Sequence, residues 1–228
     1  MIIIANWKMY FSTAQTIEFC RTHLAHFSQL TSQHQLIVCP TYTALYQVQE
    51  IFKDTQVNIG AQGCSPWDHG PYTGQVSAPS LAQAGATFCI VGHTEQRQFL
   101  PEPNQQVALQ VAQLIKQKIT PIVCVGQQVV DQLMPVLAVA TDMPVLIAYE
   151  PTWAINSDKA ATAEHITTVA AAIAALCDAH APNLSYQLLY GGSVSSRTIE
   201  SLRNIPAVKG FLIGRASCDF QELKKIVS

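Results

Sequence analysis

Apolar runs of strand length alternate with amphipathic stretches from one end of the chain to the other. The strand-type runs are Ile2–Ala5, Leu36–Cys39, Val57–Ala61, Phe88–Val91, Pro121–Val125, Val145–Tyr149, Gln187–Tyr190 and Phe211–Ile213. They are short, β-branched and apolar on both faces, as strands covered on both sides are. Helical spacing marks Ala14–Leu30, Ala44–Phe52, Ala78–Ala84, Gln105–Gln117, Val129–Val139, Ala163–His180, Thr198–Asn204 and Asp219–Val227. Eight strands, each followed by a helix, predict an α/β protein with a closed (β/α)8 barrel. The competing open, doubly wound sheet usually has fewer strands and a glycine-rich first turn. The first turn here is Asn6-Trp7-Lys8, without glycine, which favours the barrel. No Pro/Gly/Ser linker divides residues 1–228, so one domain is expected.

Composition narrows the class. Of the 228 residues, 49% are apolar and only 12% charged, which is about half the usual charged share. A net charge of -2, with no Lys/Arg run, excludes a phosphate-backbone stripe and argues against nucleic acid. No apolar run reaches membrane-spanning length, and Met1–Ala5 lacks the features of a signal segment. Seven cysteines without C-x-x-C spacing point to reduced thiols and a cytoplasmic location.

Candidate chemistry gathers at the strand ends, which converge on one face of a barrel. Glu150 ends the run Val145–Tyr149 and is followed at once by Pro151, which turns the chain. A carboxylate in an apolar mouth is expected to be desolvated, with a raised pKa and greater strength as a base. The plainer reading is a strand-end Glu paired with a nearby Lys or Arg. Other strand ends offer Asn6 and Lys8, Gly92-His93-Thr94-Glu95, Tyr190-Gly191-Gly192-Ser193 and Gly214-Arg215-Ala216-Ser217. The glycine-rich pair suits an anion, because such turns present free N–H groups. Metal binding is not expected, since His93 and Glu95 lie too close together and lack a further ligand. Five other histidines (His23, His26, His34, His165 and His180) fall in or beside helical patterns and read as solvated. Cys20, Cys39, Cys89, Cys124 and Cys177 read as packing residues.

Seven motifs in order make the chain resemble the triosephosphate isomerase family over nearly its whole length. Asn6-Trp7-Lys8-Met9 is similar to N-x-K-M, and Val91-Gly92-His93-Thr94-Glu95 to the G-H-S-E strand end. Ala61-Gln62 with Ser65, then Gly70-Pro71-Tyr72-Thr73-Gly74, resembles the interface loop. Cys124-Val125-Gly126 resembles the C-x-G turn, and Ala148-Tyr149-Glu150-Pro151 through Ile155 the base and lid. Tyr190–Val194 and Gly210–Ser217 complete the set. The resemblance implies a TIM barrel that interconverts dihydroxyacetone phosphate and glyceraldehyde 3-phosphate without a cofactor. A Glu base beside a neutral His is well known in this enzyme, and carried over it makes Glu150 the base and His93 the electrophile. Lys8 would hold the phosphate, Asn6 would bond a substrate oxygen, and Glu95 would position Lys8 or assist proton transfer. The N–H groups of Asn156, Ser193, Gly214 and Arg215 would cradle the phosphate under a lid running from Trp153 to Lys159. The Ala61–Ser77 loop would reach a partner in a homodimer; packing on its own barrel is the alternative.

The chain also departs from the family pattern. The lid reads Ile155-Asn156-Ser157-Asp158-Lys159-Ala160-Ala161 instead of I-G-T-G-K-T-A, and Asp158 brings a negative charge towards the phosphate. Gln96 replaces the first of two Arg, leaving Arg97; Gln75 and Gln127 replace Glu; Arg215 stands where a second glycine is frequent. The stretch between Gly126 and Ala148 is short, so an abbreviated fifth helix is expected. These changes remove supporting charges and keep every reacting group, which predicts an active isomerase. A barrel with an altered substrate, or one retained without catalysis, is the alternative.

Overall fold

A computed structural model describes residues 1–228 except 101, 141, 142, 155, 156 and 158. Eight parallel strands close into a barrel in sequence order: β1 Ile2–Asn6, β2 Gln35–Cys39, β3 Asn58–Ala61, β4 Phe88–Val91, β5 Thr120–Val125, β6 Val145–Tyr149, β7 Tyr186–Tyr190 and β8 Gly210–Ile213. The ring closes where Ile2 to Ala5 pair in register with Gly210 to Ile213. Around it run α1 Thr13–Leu30, α2 Tyr42–Phe52, α3 Ala78–Gln83, α4 Thr94–Phe99, α5 Asn104–Lys116, α6 Val129–Leu137, α7 Ala163–His180, α8 Ile199–Arg203 and α9 Phe220–Val227.

Alternation within the strands builds two cores. Ile4, Ile37, Ile90, Ile122, Ala148 and Leu212 belong to the cluster that fills the barrel. Their neighbours Ile3, Val38, Val91, Val123, Ile147 and Ile213 face the helices. A parallel barrel buries both faces, which is why the strands read as unbroken apolar runs. At Gly210 the backbones nearly touch: a Cβ there would lie 2.0 Å from the Ile2 carbonyl oxygen.

One helix departs from what the pattern suggests, and one follows it. The segment after β4 forms α4, although Thr94-Glu95-Gln96-Arg97-Gln98 carries no apolar face. Its start is fixed by His93, whose ring nitrogen accepts the Glu95 N–H. The fifth barrel helix, α6, has only 9 residues and contains Pro135, in keeping with the short stretch allotted to it. Among the described residues, no helix is long and apolar enough to cross a membrane.

Candidate active site

The C-terminal ends of β1, β4, β6, β7 and β8 surround a cavity of about 740 Å³, lined by Asn6, Lys8, His93, Glu150, Ser193, Gly214 and Arg215 among others. All the site residues expected from the sequence therefore meet in one place, with two exceptions. Glu95 lines an adjoining recess of about 510 Å³, and Asn156 lies outside the described residues, as does Asp158.

Glu150 is placed by the end of β6. Its N–H donates to the Val125 carbonyl at 2.8 Å, and its side chain turns inward beneath β7. There it lies against Gly191, where a Cβ would approach Glu150 Cγ to 3.0 Å. The residue is only 1% exposed. Its Oε1 is 3.0 Å from His93 Nε2, and its Oε2 accepts the Thr94 N–H at 2.9 Å. Burial raises the Glu150 pKa, but His93 and the Thr94 donors outweigh it and hold the carboxyl below its ordinary value. This corrects the expectation of a raised pKa: desolvation is present, and the electrostatic pull of His93 together with hydrogen bonds to the charged form overcomes it. The plainer pairing with Lys or Arg is not found either, since an imidazole is the partner.

His93 ends β4 and opens α4. Burial lowers its pKa, while the charge and hydrogen bond of Glu150 raise it and prevail. Opposing that pull, Nδ1 accepts the Glu95 N–H at 3.2 Å. A proton on Nδ1 would face that N–H directly, so the geometry fits the neutral tautomer with its proton on Nε2, directed at Glu150.

Lys8 follows β1 with φ 48, a left-handed conformation that is rare for a side chain with Cβ. The strained turn is tied on both sides. The Lys8 N–H donates to Asn6 Oδ1 at 3.1 Å, and the Lys8 carbonyl accepts from Gln62 Nε2 at 2.9 Å. Its ammonium is 2.6 Å from Glu95 Oε1 and packs beside Gly214, whose missing Cβ would lie 3.6 Å from Nζ. Among the described residues, no acceptor takes the N–H groups of Ser193, Gly214 or Arg215.

The segment after Glu150 is anchored to the cavity wall. Ser193 donates its hydroxyl to the Ser157 carbonyl, and the Ala161 N–H donates to the Tyr190 hydroxyl at 2.9 Å. Ser157 Oγ lies 2.8 Å from the Lys159 carbonyl and 3.1 Å from that of Ala154. Cys124 lies under the site, but burial pushes its thiol well up, so it remains protonated and packs. No group of three or more His, Cys, Asp or Glu among the described residues is placed to hold a metal ion.

Several neighbours were not legible as site residues: Thr94 through its backbone N–H, and Tyr10, Arg197, Asp219 and Glu222 through the cavity wall. Glu222 accepts both the N–H and the hydroxyl of Ser196, which braces the β7 loop. A helical carboxylate 26 positions downstream gives no local signal of that contact. Nor are all the helical histidines merely solvated. His165 bonds the Tyr149 hydroxyl, His34 bonds the Val227 carbonyl, and His23 stacks on Phe220.

A closed (β/α)8 barrel with a buried carboxylate, an imidazole and an ammonium at its C-terminal mouth defines a barrel enzyme equipped for proton transfer. Comparison with known proteins is more specific. A family model described as triosephosphate isomerase matches residues 1–228. A triosephosphate isomerase of Synechococcus sp. (strain JA-2-3B'a(2-13)) is 34% identical over 244 residues, covering 100% of this chain and 96% of the relative. Those of Chloroflexus aurantiacus and Aquifex aeolicus are 33% and 31% identical, each covering 99% of this chain and 97% and 98% of the relative. The chain belongs to the triosephosphate isomerase family.

Proposed function

We propose that the chain interconverts dihydroxyacetone phosphate and D-glyceraldehyde 3-phosphate through an enediolate, with Glu150 as base and His93 as electrophile. The observation that carries this reading is the 3.0 Å contact between His93 Nε2 and Glu150 Oε1, buried in a cavity that also holds Lys8. The substrate phosphate is drawn by Lys8 and by the N–H groups of Ser193, Gly214 and Arg215. Asn6 meets a substrate oxygen, and Glu95 acts on Lys8, which it touches at 2.6 Å.

The resting contacts suggest how the base is switched on. Substrate oxygen competes with Glu150 for the His93 Nε2–H. Once that bond and the Thr94 N–H are given up, burial acts on the carboxylate without opposition and its basicity rises. Glu150 then removes a proton from one carbon, the His93 N–H stabilises the oxyanion, and the proton returns to the adjacent carbon. The segment from Trp153 to Lys159 acts as the lid, excluding water while the enediolate exists. A coupled assay run from either triose phosphate tests the reaction. Turnover at the uncatalysed level would overturn it.

The assembly follows from exposed apolar groups. Met9, Phe99 and Leu100 are exposed by 90%, 77% and 55%, and they rim the recess beside Lys8 and Glu95. The Ala61–Ser77 loop carries a stacked pair, Trp67 and Tyr72, with ring centroids 4.1 Å apart. Seating that pair in the partner's recess would cover both apolar surfaces in a two-fold homodimer. Light scattering should give twice the 24.9 kDa of one chain, and a single-chain mass at micromolar concentration would refute the dimer.

A further inference from the structure

Tyr149, Trp153 and His165 form a cluster outside the cavity. Strand alternation sends Glu150 inward and Tyr149 to the helix side, where it is only 2% exposed. The Tyr149 hydroxyl lies 2.7 Å from His165 Nε2. His165 occupies the first turn of α7, its N–H bonded to the capping Thr162 hydroxyl at 3.2 Å. The Trp153 ring packs edge-on against the imidazole, centroids 5.9 Å apart at 70°.

Chain order gives the cluster its meaning. Tyr149 precedes the segment 151–162, Trp153 lies in its first turn, and His165 follows it. One hydrogen bond therefore joins the strand that presents Glu150 to the helix on which the segment ends. Tyr190, the register partner of Tyr149, holds the far end through the Ala161 N–H. Fixing both roots narrows the conformations open to the segment between them.

We propose that His165 is a positioning residue for the isomerase reaction: its bond to Tyr149 sets the root of the lid and the backbone from which Glu150 projects. This rests on the isomerase reading above. Burial raises the Tyr149 pKa, with Tyr190 adding to it, so the hydroxyl keeps its proton and can donate it to a bare Nε2. An exposed helical histidine without such a partner would have little effect on its surroundings.

The test compares His165→Ala, His165→Gln, Tyr149→Phe and the double variant His165→Ala/Tyr149→Phe in the coupled assay, with thermal midpoints measured alongside. Gln carries an amide near the position of Nε2 and should stay within about twofold of wild type. Each deletion should lower kcat by about fivefold, the worth of one hydrogen bond, with little change in KM. The double variant should be no slower than the worse single one, because both remove the same bond. Full kcat in His165→Ala, additive losses, or no rescue by Gln would overturn the inference while leaving an active isomerase. A wild type without isomerase activity would overturn both.

Discussion

Shortening Glu150 to Asp tests the proposed base most directly. Removing one methylene draws the carboxylate back by about 1.5 Å, roughly one carbon–carbon bond. In the resting site its oxygens lie 3.0 Å from His93 Nε2 and 2.9 Å from the Thr94 N, so the retreat carries both beyond hydrogen-bonding range. The same retreat displaces the base from the substrate carbon, and a misplacement of about 1 Å costs about 100-fold in rate. Glu150→Asp should therefore lower kcat by about 100-fold or more in the coupled assay while KM moves much less, because binding the phosphate does not use this side chain. The unpaired, buried Thr94 N–H should cost about 1–3 kcal/mol, lowering the thermal midpoint by several degrees without unfolding the protein at 25 °C. Glu150→Gln keeps the shape but cannot take a proton, and should fall to background. Turnover of the Asp variant within about tenfold of wild type, in folded protein, would refute Glu150 as the base.

Three further outcomes are expected. Lys8→Met removes the ammonium beside Gly214 and should lower kcat/KM by about 10–100-fold, the worth of a charge-assisted bond to phosphate; an unchanged kcat/KM would refute its role. Burial, and the neighbouring His26, lower the His23 pKa from 6.5, so the folded chain binds that proton less readily than the unfolded one. Its contribution to stability is then fully present above pH 6.5 and is lost as pH falls through that value towards the lowered one. The thermal midpoint should decline as pH falls below 6.5, and less steeply in His23→Gln; parallel profiles would count against this. Gly210→Ala places a Cβ 2.0 Å from the Ile2 carbonyl, forcing β1 and β8 apart where the barrel closes. It should destabilise by about 3 kcal/mol or more, and a midpoint within about 2 °C of wild type would contradict that packing.

The barrel was legible because each strand is a short apolar run and each intervening helix has its own period. What escaped the sequence had no period to betray it. The α4 turn has no buried apolar face, being polar up to an exposed Phe99, and it starts where the His93 ring nitrogen takes the Glu95 N–H, a contact set by the end of β4. The candidate reacting groups were visible because barrel strands deliver their ends to one face, so Asn6, Lys8, His93 and Glu150 could be placed together before any distance was known. The pKa of Glu150 was not visible in the same way. Its burial could be read from the apolar run before it, but the Thr94 donor is backbone and belongs to another strand end. Burial alone points up, and only the bonded geometry shows that the net shift is down.

Where the chain departs from its family, neutral groups now make the contacts that support the site. The Gly126 N–H donates to Gln132 Oε1 at 2.6 Å, steadying the turn that ends in Gln127 instead of Glu. Arg97 bonds the Gly92 carbonyl at 2.7 Å and the Asn104 side-chain oxygen at 2.5 Å, with no carboxylate within ion-pair distance among the described residues. Each of these contacts has at least one neutral partner at a buried or half-buried place, where desolvating a charge pair costs most. Only 12% of the chain is charged, so ion pairs are scarce among the described residues, yet Lys8–Glu95 and the Glu150 carboxylate persist. Charge is thus kept at the residues proposed to attract phosphate and move the proton, and neutral contacts hold the rest of the site in place. Bonds of this kind are little weakened by salt, whereas the proposed phosphate capture by Lys8 would be screened. Raising the ionic strength should therefore increase KM while kcat holds, and a parallel loss of kcat would mean that charge pairs, not amides and imidazole, keep Glu150 and His93 in register.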